Sequence, residues 1–189
     1  MSLKRRDELA EQIVQTQPAL RAFVRDVPQL QNLVSWSWDL LSYSFQRGFE
    51  TLWDQAYADH SGLLLHPLLL LWRHSVELAL KAAITDIAGQ IVGNPGHNLE
   101  ALFSQLLDAR EALGYCHDDD DLAQDVRAMV SLVQSVDPFA DRFRYPITKG
   151  GKPFEGVDAD LEELFQAHWI VVTYCEGAAL EVEESRNLP

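Results

Sequence analysis

Residues His66 to Val92 are apolar at nearly every position, and this run constrains the fold more than any other part of the chain. Leu, Ile, Val and Ala fill it, while Arg73, Glu77, Lys81 and Thr85 recur at steps of four and form one narrow polar stripe. A helix that is apolar nearly all round belongs inside a bundle. Charges on such a helix must find partners or face a groove. Two arrangements satisfy the stripe. Arg73, Glu77 and Lys81 can bridge along the helix as i,i+4 ion pairs. Alternatively, Arg73 can reach a cleft and hold an anion bidentately, with His74 as proton donor and Glu77 orienting either one.

The remaining periodicities predict an all-α chain, an up-and-down bundle of five or six helices. At 189 residues it suits one domain with a full core. Residues 1–28 read as an N-terminal helical extension, with helix over about 6–26, kinked by Pro18 and ended by Pro28. Residues 30–58 read mostly as helix, with Phe45, Phe49, Leu52, Trp53 and Ala56 on one face. Ser61-Gly62 turns the chain, and Pro67 suits the first turn of the central helix. Gly93-Asn94-Pro95-Gly96 marks that helix's end near Val92. Asn98 caps a helix over Leu99 to Leu113, and Gly114 supplies its left-handed stop. A further helix starts near Leu122, where Asp121 and Gln124 make a capping-box variant, and runs to Asp137-Pro138. Residues 138–157 hold three prolines and three glycines and form a long irregular loop. The last helix covers about Asp158 to Glu184.

A formal net charge of −14 repels phosphate backbones at long range, so binding to nucleic acid requires a local basic patch. One such patch exists. Arg142 and Arg144, with Lys149 and Lys152 nearby, interleave with Phe139, Phe143 and Tyr145, a pattern suited to stacking on bases. The same loop also fits a strap whose rings pack on the bundle and whose arginines pair with the acidic last helix. His97 sits beside the N-terminus of the Asn98-capped helix, where anions bind. Cys116 and Cys175 match no metal spacing and read as reduced thiols of a cytoplasmic protein. The run Cys116-His117-Asp118-Asp119-Asp120-Asp121 lacks the ligand pattern of a calcium or zinc site, so no metal and no cofactor is expected. Leu63 to Trp72 is too short to span a bilayer, which excludes a membrane protein of the helical kind. His60, His66 and His168 read as packed or exposed bystanders.

Three segments carry a family likeness. Arg73-His74-Ser75-Val76-Glu77-Leu78-Ala79-Leu80-Lys81, Gly96-His97-Asn98-Leu99-Glu100-Ala101-Leu102 and Arg142-Phe143-Arg144-Tyr145-Pro146 together resemble the HEPN superfamily, in its prokaryotic branches. The resemblance implies a helical bundle that often pairs as a homodimer. It also implies association with nucleotides or RNA in defence, toxin–antitoxin or stress systems. Active ribonucleases of that superfamily use an Arg and a closely following His, without metal. Here only Arg110 and His117 match the spacing, with six residues between them. Gly114 breaks the helix between them, and four adjacent aspartates repel RNA, so the pattern departs from that of the ribonucleases. The preferred expectation is a binding or assembly module with a groove lined by Arg73, His74, Glu77, Lys81, His97, Asn98, Arg142, Arg144 and Tyr145. The alternatives are a toxin-type endoribonuclease and an acidic, antitoxin-like subunit that covers a basic protein through its last helix.

Overall fold

Gly89 stops the central helix at Ala88, short of the Gly93-Asn94-Pro95-Gly96 cluster that the sequence marks as its end. Gly89 adopts the left-handed conformation (φ 79°), and its N–H donates to the Thr85 carbonyl at 2.8 Å. In a computed structural model of the chain, the described residues are 8, 11–12, 15–16, 37–115, 121–156 and 160–186. The chain divides into two units, Met1–Ser35 and Trp36–Pro189. In the first unit Glu8, Glu11, Gln12, Gln15 and Thr16 are helical and exposed. The rest of the helix expected over 6–26 lies outside the described residues.

The second unit is an all-α bundle. Among its described residues are five helices: α1 Trp38–Ala58, α2 Leu65–Ala88, α3 Leu99–Ala112, α4 Asp121–Val136 and α5 Leu161–Arg186. Among the described residues there is no strand, only an isolated bridge between Ile147 and Pro153. The apolar composition of α2 makes it the central element, and it packs against α1, α3 and α5. Its residues Leu68, Val76, Leu80 and Ile84 are buried with Phe49 of α1, Leu102 and Phe103 of α3, Val126 of α4 and Val172 of α5. Two indoles fasten the start of α5. Trp53 Nε1–H donates to the Leu161 carbonyl at 2.8 Å, and Trp72 Nε1–H to the Leu164 carbonyl at 3.0 Å.

The Asn98 cap and the Gly114 stop form as expected, whereas Asp121 is the first residue of its helix and not its cap. Asn98 Oδ1 accepts from Ala101 N–H at 2.9 Å, and Gly114 is left-handed at φ 81°. Ser37, in extended backbone, accepts from Leu40 N–H and opens α1. Asp160 Oδ1 accepts from the Glu162 and Glu163 amides at 2.8 and 3.0 Å, so α5 begins at Leu161 and extends to Arg186. Arg186 in turn donates to the Asp86 and Ile87 carbonyls at 3.1 and 2.8 Å, satisfying the exposed end of α2.

His168 is packed, one of the two placements expected of it, and it also bonds across the bundle. It is buried on α5, its ring 4.2 Å from that of Phe49, with Nε2 2.7 Å from Ser75 Oγ. The Ser75 hydroxyl donates to the Trp72 carbonyl at 2.9 Å, so the imidazole supplies the proton of the Ser75–His168 bond. Burial pushes His168 down to about 4. The unfolded chain therefore binds a proton at His168 between about 6.5 and 4 that the native chain refuses, and stability falls as pH drops through that window. The predicted loss is roughly 3 kcal/mol across the window. His168→Gln keeps a donor for Ser75 and removes the titration. Urea midpoints measured from pH 7 to pH 4 should fall more steeply for the wild type than for this variant.

Candidate functional site

Arg73 is 1% exposed, and every hydrogen bond it makes reaches a different part of the fold. Its Nη1 pairs with Glu77 Oε2 at 3.0 Å on the next turn of α2. Its Nη2 donates to the His97 carbonyl at 2.5 Å, in the turn before α3. Its Nε donates to the Asp137 carbonyl at 3.2 Å, where α4 gives way to the long loop, and lies 3.7 Å from Asp137 Oδ2. One guanidinium thus ties together α2, the α2–α3 turn and the α4–α5 loop. Burial pulls its pKa down, against the attraction of Glu77 and Asp137. Arginine nonetheless stays protonated in proteins, so the site holds a permanent buried cation.

Asp137 completes the neutralisation. It is fully buried, and its Oδ1 accepts from the Asp141 and Arg142 amides at 2.9 and 3.1 Å. That grip bends the loop tightly enough to place Ala140 at φ 55°, a left-handed strain of ~1–2 kcal/mol for a residue with a Cβ. Arg142 then donates to the Val136 and Glu155 carbonyls at 2.8 and 2.9 Å, and Arg144 to the Ala140 carbonyl. Phe143 is buried, whereas Phe139 and Tyr145 are exposed. The loop is therefore a strap, but its arginines bind the loop's own carbonyls and the end of α4, not the acidic last helix as the sequence suggests. Arg142 is a clamp. Arg144 is exposed and lies beside the Tyr145 ring, 5.9 Å from its centroid.

Glu77 is the second hub. It is 1% exposed and takes Lys81 Nζ at 2.7 Å and His97 Nδ1 at 3.0 and 3.1 Å, besides Arg73. Burial alone pushes the Glu77 carboxyl up, but the hydrogen bonds from Lys81 and His97 outweigh it and hold the group below the usual range. Its stabilising effect is present above the ordinary carboxylate pKa and is lost as pH falls through the depressed value. A carboxylate only accepts, so Nδ1 of His97 carries the proton, leaving Nε2 as the ring's other polar atom. The His97 side chain is 48% exposed. His74, half-buried, sets its ring edge-on to Phe45 at 4.5 Å, and burial lowers its pKa.

Of the residues expected to line a groove, Arg73, Glu77, Lys81 and His97 meet through direct bonds, whereas Arg142, Arg144 and Tyr145 belong to the loop that Asp137 ties to Arg73. Arg73 and Glu77 are buried and neutralise each other and the loops. Asn98 is occupied as a helix cap. His97, Arg144 and Tyr145 lie outward, while Lys81 is partly buried, with Nζ on Glu77 and 5.8 Å from the Trp38 ring. Asp137, which binds the loop to Arg73, was read in the sequence only as a helix stop. The one local signal was an acid directly before Pro138. Arg110 lies elsewhere. It donates to Tyr174 Oη at 2.5 Å and pairs with Glu181 at 2.9 Å, joining α3 to α5. That pair commits its guanidinium to the bundle, and His117 lies outside the described residues. Among the described residues no three His, Cys, Asp or Glu side chains group as a metal site, and no helix is long and apolar enough to cross a membrane.

No family model, curated protein or solved structure matches the chain.

Removing charge from one member of a buried ion cluster strands the others. Glu77→Gln is predicted to lower stability by ~3–5 kcal/mol. Amide exchange should rise together in residues 95–98 and 137–145, because both connections depend on Arg73. Arg73→Lys should behave similarly, since one ammonium cannot replace three separately aimed N–H groups.

Proposed function

We propose that the chain is a HEPN-like binding module. Its recognition surface is the outer rim of the Arg73 cluster, formed by Lys81, His97, Arg144 and Tyr145 with His74 behind them. The ligand is phosphate-bearing, a nucleotide or short RNA. The observation that carries this reading is the concentration of cationic groups on the rim of an otherwise acidic chain. Arg144 lies near enough to Arg73 to oppose its charge, and His74 feels Lys81, His97 and Arg73 together, against the attraction of Glu77. The buried pair Glu77 and Asp137 holds these groups in place, and Tyr145 offers an exposed ring for stacking. The resemblance of the three segments to the HEPN superfamily supports a role in a defence, toxin–antitoxin or stress system.

A second reading, a metal-independent ribonuclease, is favoured by the Glu77–His97 pair. A buried carboxylate that fixes one imidazole nitrogen leaves the other suited to proton transfer. In this reading His97, not Arg110 with His117, carries the chemistry.

Thermal-shift titration with ATP and with short single-stranded RNA tests both readings. A ligand at about a hundred times its Kd stabilises by ~2.7 kcal/mol. His97→Ala and Arg144→Ala should each remove most of the shift, and added salt should weaken it. Intact RNA after incubation fits a binding module, and His97-dependent cleavage fits the enzyme. Absence of any shift with either ligand contradicts the recognition surface itself.

A further inference from the structure

The outward face of α5 carries an apolar stripe that stands exposed among the described residues. Trp169 is 61% exposed and Leu180 56% exposed, and Thr173 and Gly177 lie between them at helical spacing. Beside this stripe runs a groove of about 410 Å³ towards Leu122 at the start of α4, floored by Tyr174 and Ala178. A Cβ added at Gly177 would meet nothing within 4 Å, so the backbone there lies open. An exposed tryptophan is among the residues enriched at interface centres.

The surroundings of the stripe are acidic. On α5, Glu162 and Glu184 lie at its two ends, Glu176 and Glu183 on one flank and Glu163 on the other, where Glu181 is already paired with Arg110, a buried cation that also lines the groove. Asp121 and Asp125 are exposed on the first turns of α4, near Leu122 in sequence. Between Leu161 and Ser185 the helix carries no Lys or Arg, and its one histidine, His168, is buried. A second copy of this chain would bring an equally acidic ring against this one, and like charges facing each other oppose that contact. The charge pattern instead complements an amphipathic helix whose apolar side is bordered by lysine or arginine.

We propose that this face of α5 is a docking site for a basic amphipathic helix of a partner protein. Trp169 and Leu180 contact its apolar side, the partner backbone approaches closely at Gly177, and the surrounding glutamates meet its cations. The site is separate from the Arg73 cluster and does not depend on the ligand proposed there.

The test uses fluorescently labelled synthetic peptides and the intact chain, read by anisotropy. Three peptides serve as probes: a Leu/Lys peptide with leucines at helical spacing, a scrambled peptide of the same composition, and a Leu/Glu analogue. The Leu/Lys helix should bind, weaken with salt, and outcompete the scrambled peptide, and the Leu/Glu analogue should not bind. Trp169→Ala should weaken binding by about tenfold or more. Gly177→Glu fills the groove while adding negative charge, so it weakens docking in the groove but strengthens a merely electrostatic attraction. Both positions are exposed, and replacing a glycine inside a helix favours helix formation, so the variants retain the fold. His97→Ala should leave binding unchanged. Equal affinity for the scrambled peptide, or a Gly177→Glu variant that binds as well as wild type, would overturn the proposal. So would sedimentation showing a dimer of the wild-type chain that Trp169→Ala converts to monomer.

Discussion

A guanidinium removed from water must have its charge answered from every side it presents, and Arg73 meets that demand by drawing in chain from three places. Glu77 comes from its own helix, the His97 carbonyl from the turn before α3, and Asp137 from the end of α4. Leaving any of these partners out would leave a buried charge uncompensated, at a cost of several kcal/mol. The same requirement therefore fixes where two irregular connections lie. Hydrophobic contact between helices is not directional and could not place those connections so closely. The strained Ala140 follows from it, because the loop must turn sharply for Asp137 to serve both Arg73 and the amides of Asp141 and Arg142.

Burying the strong charges changes what the surface can do. With Arg73 and Glu77 fully engaged, contact with the ligand proposed above would fall to the groups they position. Glu77 sets the tautomer and orientation of His97 and steadies Lys81, and the Asp137 turn presents Arg144 and Tyr145. Opposite demands meet at α5. Its inner side carries His168 and Cys175 so deeply buried that the thiol is pushed up to about 12, while its outer side leaves a tryptophan in water. The first side serves packing, and packing does not explain the second.

Elements whose cause is local were readable from the chain. The Asn98 cap, the Gly114 stop and the all-round apolar α2 each follow from residues within a few positions of one another. The end of α2 was misplaced because two glycine signals compete there, and Gly89 acts first by taking the left-handed conformation. The polar stripe was legible as a stripe, and both arrangements drawn from it contain part of the outcome. Arg73, Glu77 and Lys81 do form an i,i+4 ladder, and the turn and loop segments do converge on it. Its burial could not be read, because that depends on Asp137, sixty-four residues away, closing over Arg73. Ser75 and His168 were missed for the same reason, being partners across ninety-three residues with no local pattern to link them.

The most direct test of the account follows the Arg73 Nε–H group itself by nitrogen-15 NMR with solvent exchange. A buried, triply anchored guanidinium predicts one arginine Nε–H signal that exchanges far more slowly than those of exposed arginines, disappears in Arg73→Lys and exchanges faster in Glu77→Gln. If the Arg73 signal exchanges as fast as that of the exposed Arg47, the cation is open to water and does not organise the fold.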